Sequence, residues 1–394
     1  MNKIFHPLTS FYRCLAAPVV SLMVTFLLFA CGDQTKTVEK PVAEKPVKES
    51  SSSAQAVERN LTFNDVTLEQ SNEQGRPVWK VLAKQATYSK DRKIAQLKSP
   101  NGQLFQDGKP LYYITAQTGE IQQDGKKLFL KGNIVAKDPS RNLVLRGNEL
   151  EWLPKQALLI VRNRLTGNNP QVQVVAREAQ VFSRAQRIEL YGGVQATSID
   201  PSLQMRTERA TWLIEEQKLI GDRPLQIDRY KDKKITDRAT ANSGEVNLKT
   251  KIATFRQNAQ INLVEPPTQV TSNSLSWNMN TEIVTADQPV RIVNRQQQVT
   301  VTANQGRLDT QKEIAYLSAN VNSVGQRGQS LKANTLTWYL PTQNMEANGD
   351  VFYTQANPPA NFRGQKAVGN LKDQNIAVSG GNVVTEIVPP ENAK

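Results

Sequence analysis

Beyond residue 57 the chain places apolar and polar residues in short alternating runs. In RIELYGGV (187–194), Ile188 and Leu190 fall on one side and Glu189 on the other. In KLFLKG (127–132), Leu128 and Leu130 share a side. Such period-two alternation predicts strands with one buried face. No stretch holds a 3.6-residue apolar period for four turns, and Pro and Gly interrupt too often for helices. Apolar residues also pair across short polar stretches, seven positions apart: Trp152 with Leu159, Trp212 with Leu219, Trp277 with Val284 and Trp338 with Met345. Ile121 pairs likewise with Leu128, Val181 with Ile188 and Leu371 with Val378. Between them lie turn-forming letters, QDGK (123–126), PKQ (154–156), NMNT (278–281) and PTQN (341–344). Each pair therefore predicts a β-hairpin.

These hairpins repeat. TAQTGEI (115–121) returns almost letter for letter as TANQGRL (302–308). The pattern is a small residue, Gly or a small or apolar residue three later, and an apolar residue two after that. It begins at Ala83, Ala116, Gly147, Ala176, Thr207, Ala241, Ser272, Ala303, Ala333 and, degraded, Lys366. A spacing this steady marks an internal repeat. Every second copy ends on an aromatic residue (Tyr88, Trp152, Trp212, Trp277, Trp338), so the full unit is about 62 residues in two similar halves. About two strands per half give about twenty strands. Hairpins alternating between two facing sheets would place about ten in each, a body on the order of 50 Å long. The expected fold is all-β, an elongated antiparallel two-sheet sandwich with exposed edge strands at both ends.

The N-terminus departs from this pattern. Leu15 to Ala30 is nearly all apolar, short of the roughly 20 residues that span a bilayer as a helix. Lys3 and Arg13 flank it, as in a signal peptide. It ends LLFAC, which resembles a bacterial lipobox with Cys31 as the lipid-attachment residue; an uncleaved anchor is the alternative. Residues 32–57, rich in Lys, Glu, Pro and Ser, read as a disordered linker that lifts the folded part off a membrane.

Of 394 residues the only cysteines are Cys14 and Cys31 and the single histidine is His6, all in the targeting segment. Without them the rest of the chain has no Cys–His pair, Ser-His-Asp triad or histidine metal site, and no cofactor is expected. Net charge is +13, but the basic residues are scattered and form no nucleic-acid arm. An anionic lipid or membrane suits the charge better.

The hairpins, followed by Gly132-Asn133-Ile134, Gly192-Gly193-Val194, Gly349-Asp350-Val351 and Gly381-Asn382-Val383, resemble the OstA/LptA-like β-jellyroll superfamily. The tethered N-terminus and WKVLAKQATYSKD (79–91) resemble its LptC-type members. The chain departs from them in carrying about twice their jellyroll and a lipobox where they keep a transmembrane helix. The resemblance implies an open two-sheet trough in the periplasm, tethered to the inner membrane. Such a protein takes lipopolysaccharide from the inner-membrane ABC exporter and passes it to another OstA-like bridge protein by edge-strand pairing. Two jellyroll segments are expected, 58–230 and 231–390, with a break near the charged DRYKDKKITDR (228–238). Alternation assigns Leu128, Leu130, Leu143, Leu145, Trp152, Ile188, Leu190 and Trp212 to the lipid-binding lining, and a closed core uses the same residues equally well. Arg146, Arg184, Arg187, Arg206 and Arg209 are candidates for meeting charged headgroups at the trough mouth. Two rival readings are a scaffold or adhesin packed shut and a glycosidase using Glu149 with Glu151 or Glu215 with Glu216. Those carboxylates sit at a strand and a turn, and no enzyme activity is expected.

Overall fold

A computed structural model describes residues 61–122, 127–357, 359–370 and 375–387. The apolar segment, Cys31, the linker and the 123–126 turn lie outside the described residues. The described residues form one compact unit. Among the described residues 28 strands form one antiparallel hydrogen-bonded network. Among the described residues the helical content is a single 3-10 turn, Pro154–Gln156, and no helix is long and apolar enough to cross a membrane.

The predicted hairpins are present with their predicted partners. Trp152 pairs with Leu159, Trp212 with Leu219, Trp277 with Val284 and Trp338 with Met345. Ile121 pairs with Leu128 and Val181 with Ile188. The last hairpin has a different register: Val378 opposes Ala367, and Leu371 lies outside the described residues.

Consecutive hairpins do not alternate between two sheets. Each pass of the chain instead bends midway and lends one half to each sheet. In Leu128–Asp138 the pairing register shifts between Lys131 and Ile134, where Gly132 and Asn133 take φ of 78° and 46°. Two successive left-handed residues turn the strand through a corner. Gly192-Gly193, Gln257-Asn258, Ala319-Asn320 and Gly349-Asp350 repeat the device. In three other passes a proline marks the corner, at Pro100, Pro224 and Pro289, and the strand is interrupted there. The glycine motif of the sequence is therefore the bend signal, at the C-terminal end shifted by one to Gly380-Gly381. The small residue that opens the repeat lies at the same bend on the intervening passes.

Because every pass serves both sheets, each sheet is about twice as long as expected. One residue per pass lines up in an unbroken cross-strand row from Tyr88 and Ala95 through Ile121, Leu128, Trp152 and Leu159 to Met345, Gly369 and Ile376. Twenty residues at about 4.8 Å per strand make a row on the order of 90 Å. The ladder passes through 228–238 without a gap, as the hairpin Leu225–Lys231 with Lys234–Ala241.

Candidate functional site

The two half-sheets enclose one apolar interior. From the first half-sheet come the row just described and a second beside it that includes Leu130, Leu150, Val161, Ala179, Leu190 and Ala210. From the second come Leu145, Gly167, Val174, Ala196, Met205 and Ile227, again directly opposite one another. Facing side chains interlock: a Cβ placed on Gly167 would stand 2.7 Å from Val174, 3.0 Å from Leu145 and 3.9 Å from the Trp212 ring.

All eight expected lining residues point into this interior. Leu128, Trp152, Ile188 and Trp212 share the first row, and Leu130 and Leu190 the second. Leu145 belongs to the opposite half-sheet, and Leu143 to its outermost row. Their exposure is 0–2 %, so the interior is filled by its own side chains. It also continues well beyond the expected residues: Phe255, Leu275, Trp277, Leu317, Leu336 and Trp338 are equally buried. The repeat that located Trp152 and Trp212 locates these as well. The indole N–H groups of Trp79, Trp152, Trp277 and Trp338 are buried without a hydrogen-bond partner.

The interior is reachable at its C-terminal end. There a small cavity of about 50 Å³, open to solvent, is lined by Leu331, Met345, Tyr353, Ala367, Gly369 and Ile376. Gly369 stands in the Trp–Met row and contributes no side chain, so the filling thins where the sheets end.

Of the five candidate mouth cations, Arg184 lies at the rim opposite the bends, 3.5 Å from Asp107. Arg146, Arg187, Arg206 and Arg209 alternate with buried residues and face outward. Arg187 and Arg209 there bind Glu189, and Arg206 binds Asp228. Sequence reasoning missed two arginines that reach across the rim. Arg141 binds Asp138 at 2.8 Å and Glu215 at 3.0 Å. Arg229 holds Asp237 at 2.6 Å and both oxygens of Glu282 at 2.7 and 2.6 Å, and lies 4.8 Å over the Trp277 ring. Burial opposes the charge on both guanidiniums, but the carboxylates outweigh it and hold both pKa values above the ordinary arginine value. No local sequence signal marks their reach across the rim, because the partners there lie 53 and 74 positions away.

Three of the four carboxylates weighed for glycoside hydrolysis are engaged elsewhere. Glu151 binds Lys127 and Arg162, Glu215 binds Arg141 and Glu216 binds Lys218. Burial pushes the Glu151 carboxyl up, yet the bonds from Arg162 and Lys127 prevail and lower it, the wrong direction for a general acid. Among the described residues no three Asp, Glu, His or Cys side chains are grouped to hold a metal ion.

A family model described as "Lipopolysaccharide-assembly, LptC-related" matches residues 19–159, 159–231, 226–300 and 293–385. The repeated matching of one model along the chain agrees with the repeat. No curated protein matches the chain.

Proposed function

Since the chain belongs to the LptC-related lipopolysaccharide-assembly family, and so to the periplasmic components of lipopolysaccharide export, we propose that it carries the acyl chains of this lipid between its two half-sheets. The observation that carries this reading is the apolar row running without a break from Tyr88 to Ile376. Each acyl methylene buried there is worth about 0.8 kcal/mol, while the charged sugars stay in water. Apolar contact makes little demand on direction, so a chain can bind and still slide from one pass to the next. The unpartnered indole N–H groups add fixed donors that acyl ester and amide carbonyls can accept from. The lipid reaches the protein from the inner-membrane ABC exporter and leaves towards the outer membrane through another jellyroll protein. The N-terminal segment tethers the body to the membrane, through Cys31 if it is lipidated, and the jellyroll divides functionally into 58–230 and 231–390.

The test is photo-crosslinking in cells, with the reactive residue at Trp212 or Tyr353, which face inward, and at Thr211, which faces outward. Adducts with lipopolysaccharide are expected at Trp212 and Tyr353 and not at Thr211. Their absence from both inward positions in folded, abundant protein would point to a closed scaffold.

A further inference from the structure

The two long edges of the sandwich are built differently. Along one, every pass runs through its bend, and neighbouring bends are joined by main-chain hydrogen bonds such as Gln117 N–H to Lys131 O and Asn242 N–H to Gln257 O. Along the other lie two rows of hairpin turns, one from each half-sheet. Within a row the turns are again joined by main-chain bonds, Leu248 to Gln217 and Met279 to Lys251 in one, Ile199 to Gln171 and Val264 to Thr236 in the other. Between the rows, among the described residues, no main-chain pair is bonded. What crosses is side-chain contact: Arg184 to Asp107, Arg141 to Glu215, Gln171 to Gln217 at 3.1 Å, Lys251 to Asp200 at 2.8 Å and Arg229 to Glu282.

We infer that this rim is a lateral gate, closed by these cross-rim pairs, through which acyl chains reach the interior when the pairs release. The inference rests on the lipid-carrying reading above and adds the route and its closure. Three arguments support it. The interior is filled at 0–2 % exposure, so a guest requires the sheets to part. Parting at the bends would break the chain's own ladder, whereas parting at the rim breaks only bonds in which a side chain takes part, the one from Gln297 to the Leu340 carbonyl among them. The rim pairs are polar and half solvated, so water and an anionic headgroup can replace their partners, whereas main-chain bonds under the sheets have no such substitute.

The test uses the full chain with Cys14→Ser, carrying Gln171→Cys and Gln217→Cys and the photo-reactive residue at Trp212. The two thiols are bridged by a short bis-methanethiosulfonate reagent and released again by reductant, with each single-cysteine variant as control. Bridging is expected to lower lipopolysaccharide adducts at least tenfold, and reduction to restore them. A second variant, Glu282→Gln, is expected to raise adducts severalfold while its β-sheet circular dichroism stays unchanged. Undiminished adducts in the bridged protein would overturn the gate and leave lipid binding standing, as would unchanged adducts in folded Glu282→Gln. Absence of adducts in bridged, reduced and control proteins alike would remove the lipid-carrying reading and the gate with it.

Discussion

Trp277 shows what one position carries. It is fully buried, opposes Ala253 and Val284, lies under Arg229 and leaves its indole N–H unbonded. Truncation to Ala should cost about 3–5 kcal/mol through lost burial and a cavity. Trp277→Phe keeps most of the apolar volume and removes the unsatisfied donor, so its cost should be well under half of that. Urea unfolding of the two variants checks the ranking, and an equal loss would mean the indole nitrogen is bonded after all. At Asp228 the question is charge. Its side chain is covered by Arg206 and Arg238, 2.5 and 2.6 Å away. Burial raises its pKa, but hydrogen bonds from Arg238, Gln226 and Arg206 win and lower it below 3.8. A carboxyl depressed in the folded state stabilises fully above its unfolded value and loses that contribution as pH falls through the folded one. Asp228→Asn should therefore flatten the decline of melting temperature below about pH 4. The same decline in both proteins would assign the acid sensitivity elsewhere.

At the scale of one strand, the bend decides whether a pass can serve two sheets. Gly193 isolates its cost: φ is +60° and a Cβ there would meet nothing within 4 Å. Gly193→Ala should lose about 1–2 kcal/mol from left-handed backbone alone. Gly193→Asn should recover most of it, since Asn tolerates this conformation and Asn133 already holds the matching place with φ 46°. Comparing the two by chemical denaturation separates backbone strain from packing, and equal stability of Ala and Gly would remove the bend as a conformational requirement. The hairpins were legible because both partners lie within seven residues, as Trp152 and Leu159 do. The bend was visible only as a recurring G-N-I or G-G-V. Alternation on either side of such a pair reads as two strands or as one kinked strand, and the sequence has no local term that chooses. Choosing alternate hairpins halved the expected length, and the row from Tyr88 to Ile376 corrects it.

For the whole molecule the unit is the 62-residue repeat, and its edges match. Leu153 and Leu213 end equivalent strands, each followed by four residues before the next one resumes at Leu158 or Lys218. The inward face was legible at this scale because alternation and repeat reinforce each other over every unit. The rim was not, since Arg141 and Glu215 or Arg229 and Glu282 meet only once the half-sheets have closed. In a repeat-built body stability is approximately a sum over neighbouring units, so whole units are removable. Deleting 154–213 joins Leu153 to Ile214 and sets Trp152 opposite Leu219, as Trp212 is now. The shortened chain should fold with the same β-sheet spectrum per residue. Four fewer passes at about 4.8 Å each should shorten it by about 19 Å in small-angle scattering. The deletion also removes three of the five cross-rim pairs, those of Arg184, Gln171 and Asp200, and sets Arg141 and Glu215 on adjacent turns of the chain. If closure depends on those pairs, the shortened protein should gain surface that binds an apolar dye while its ladder stays intact. An unfolded or aggregated product would show that the body is one cooperative structure, not a sum of units.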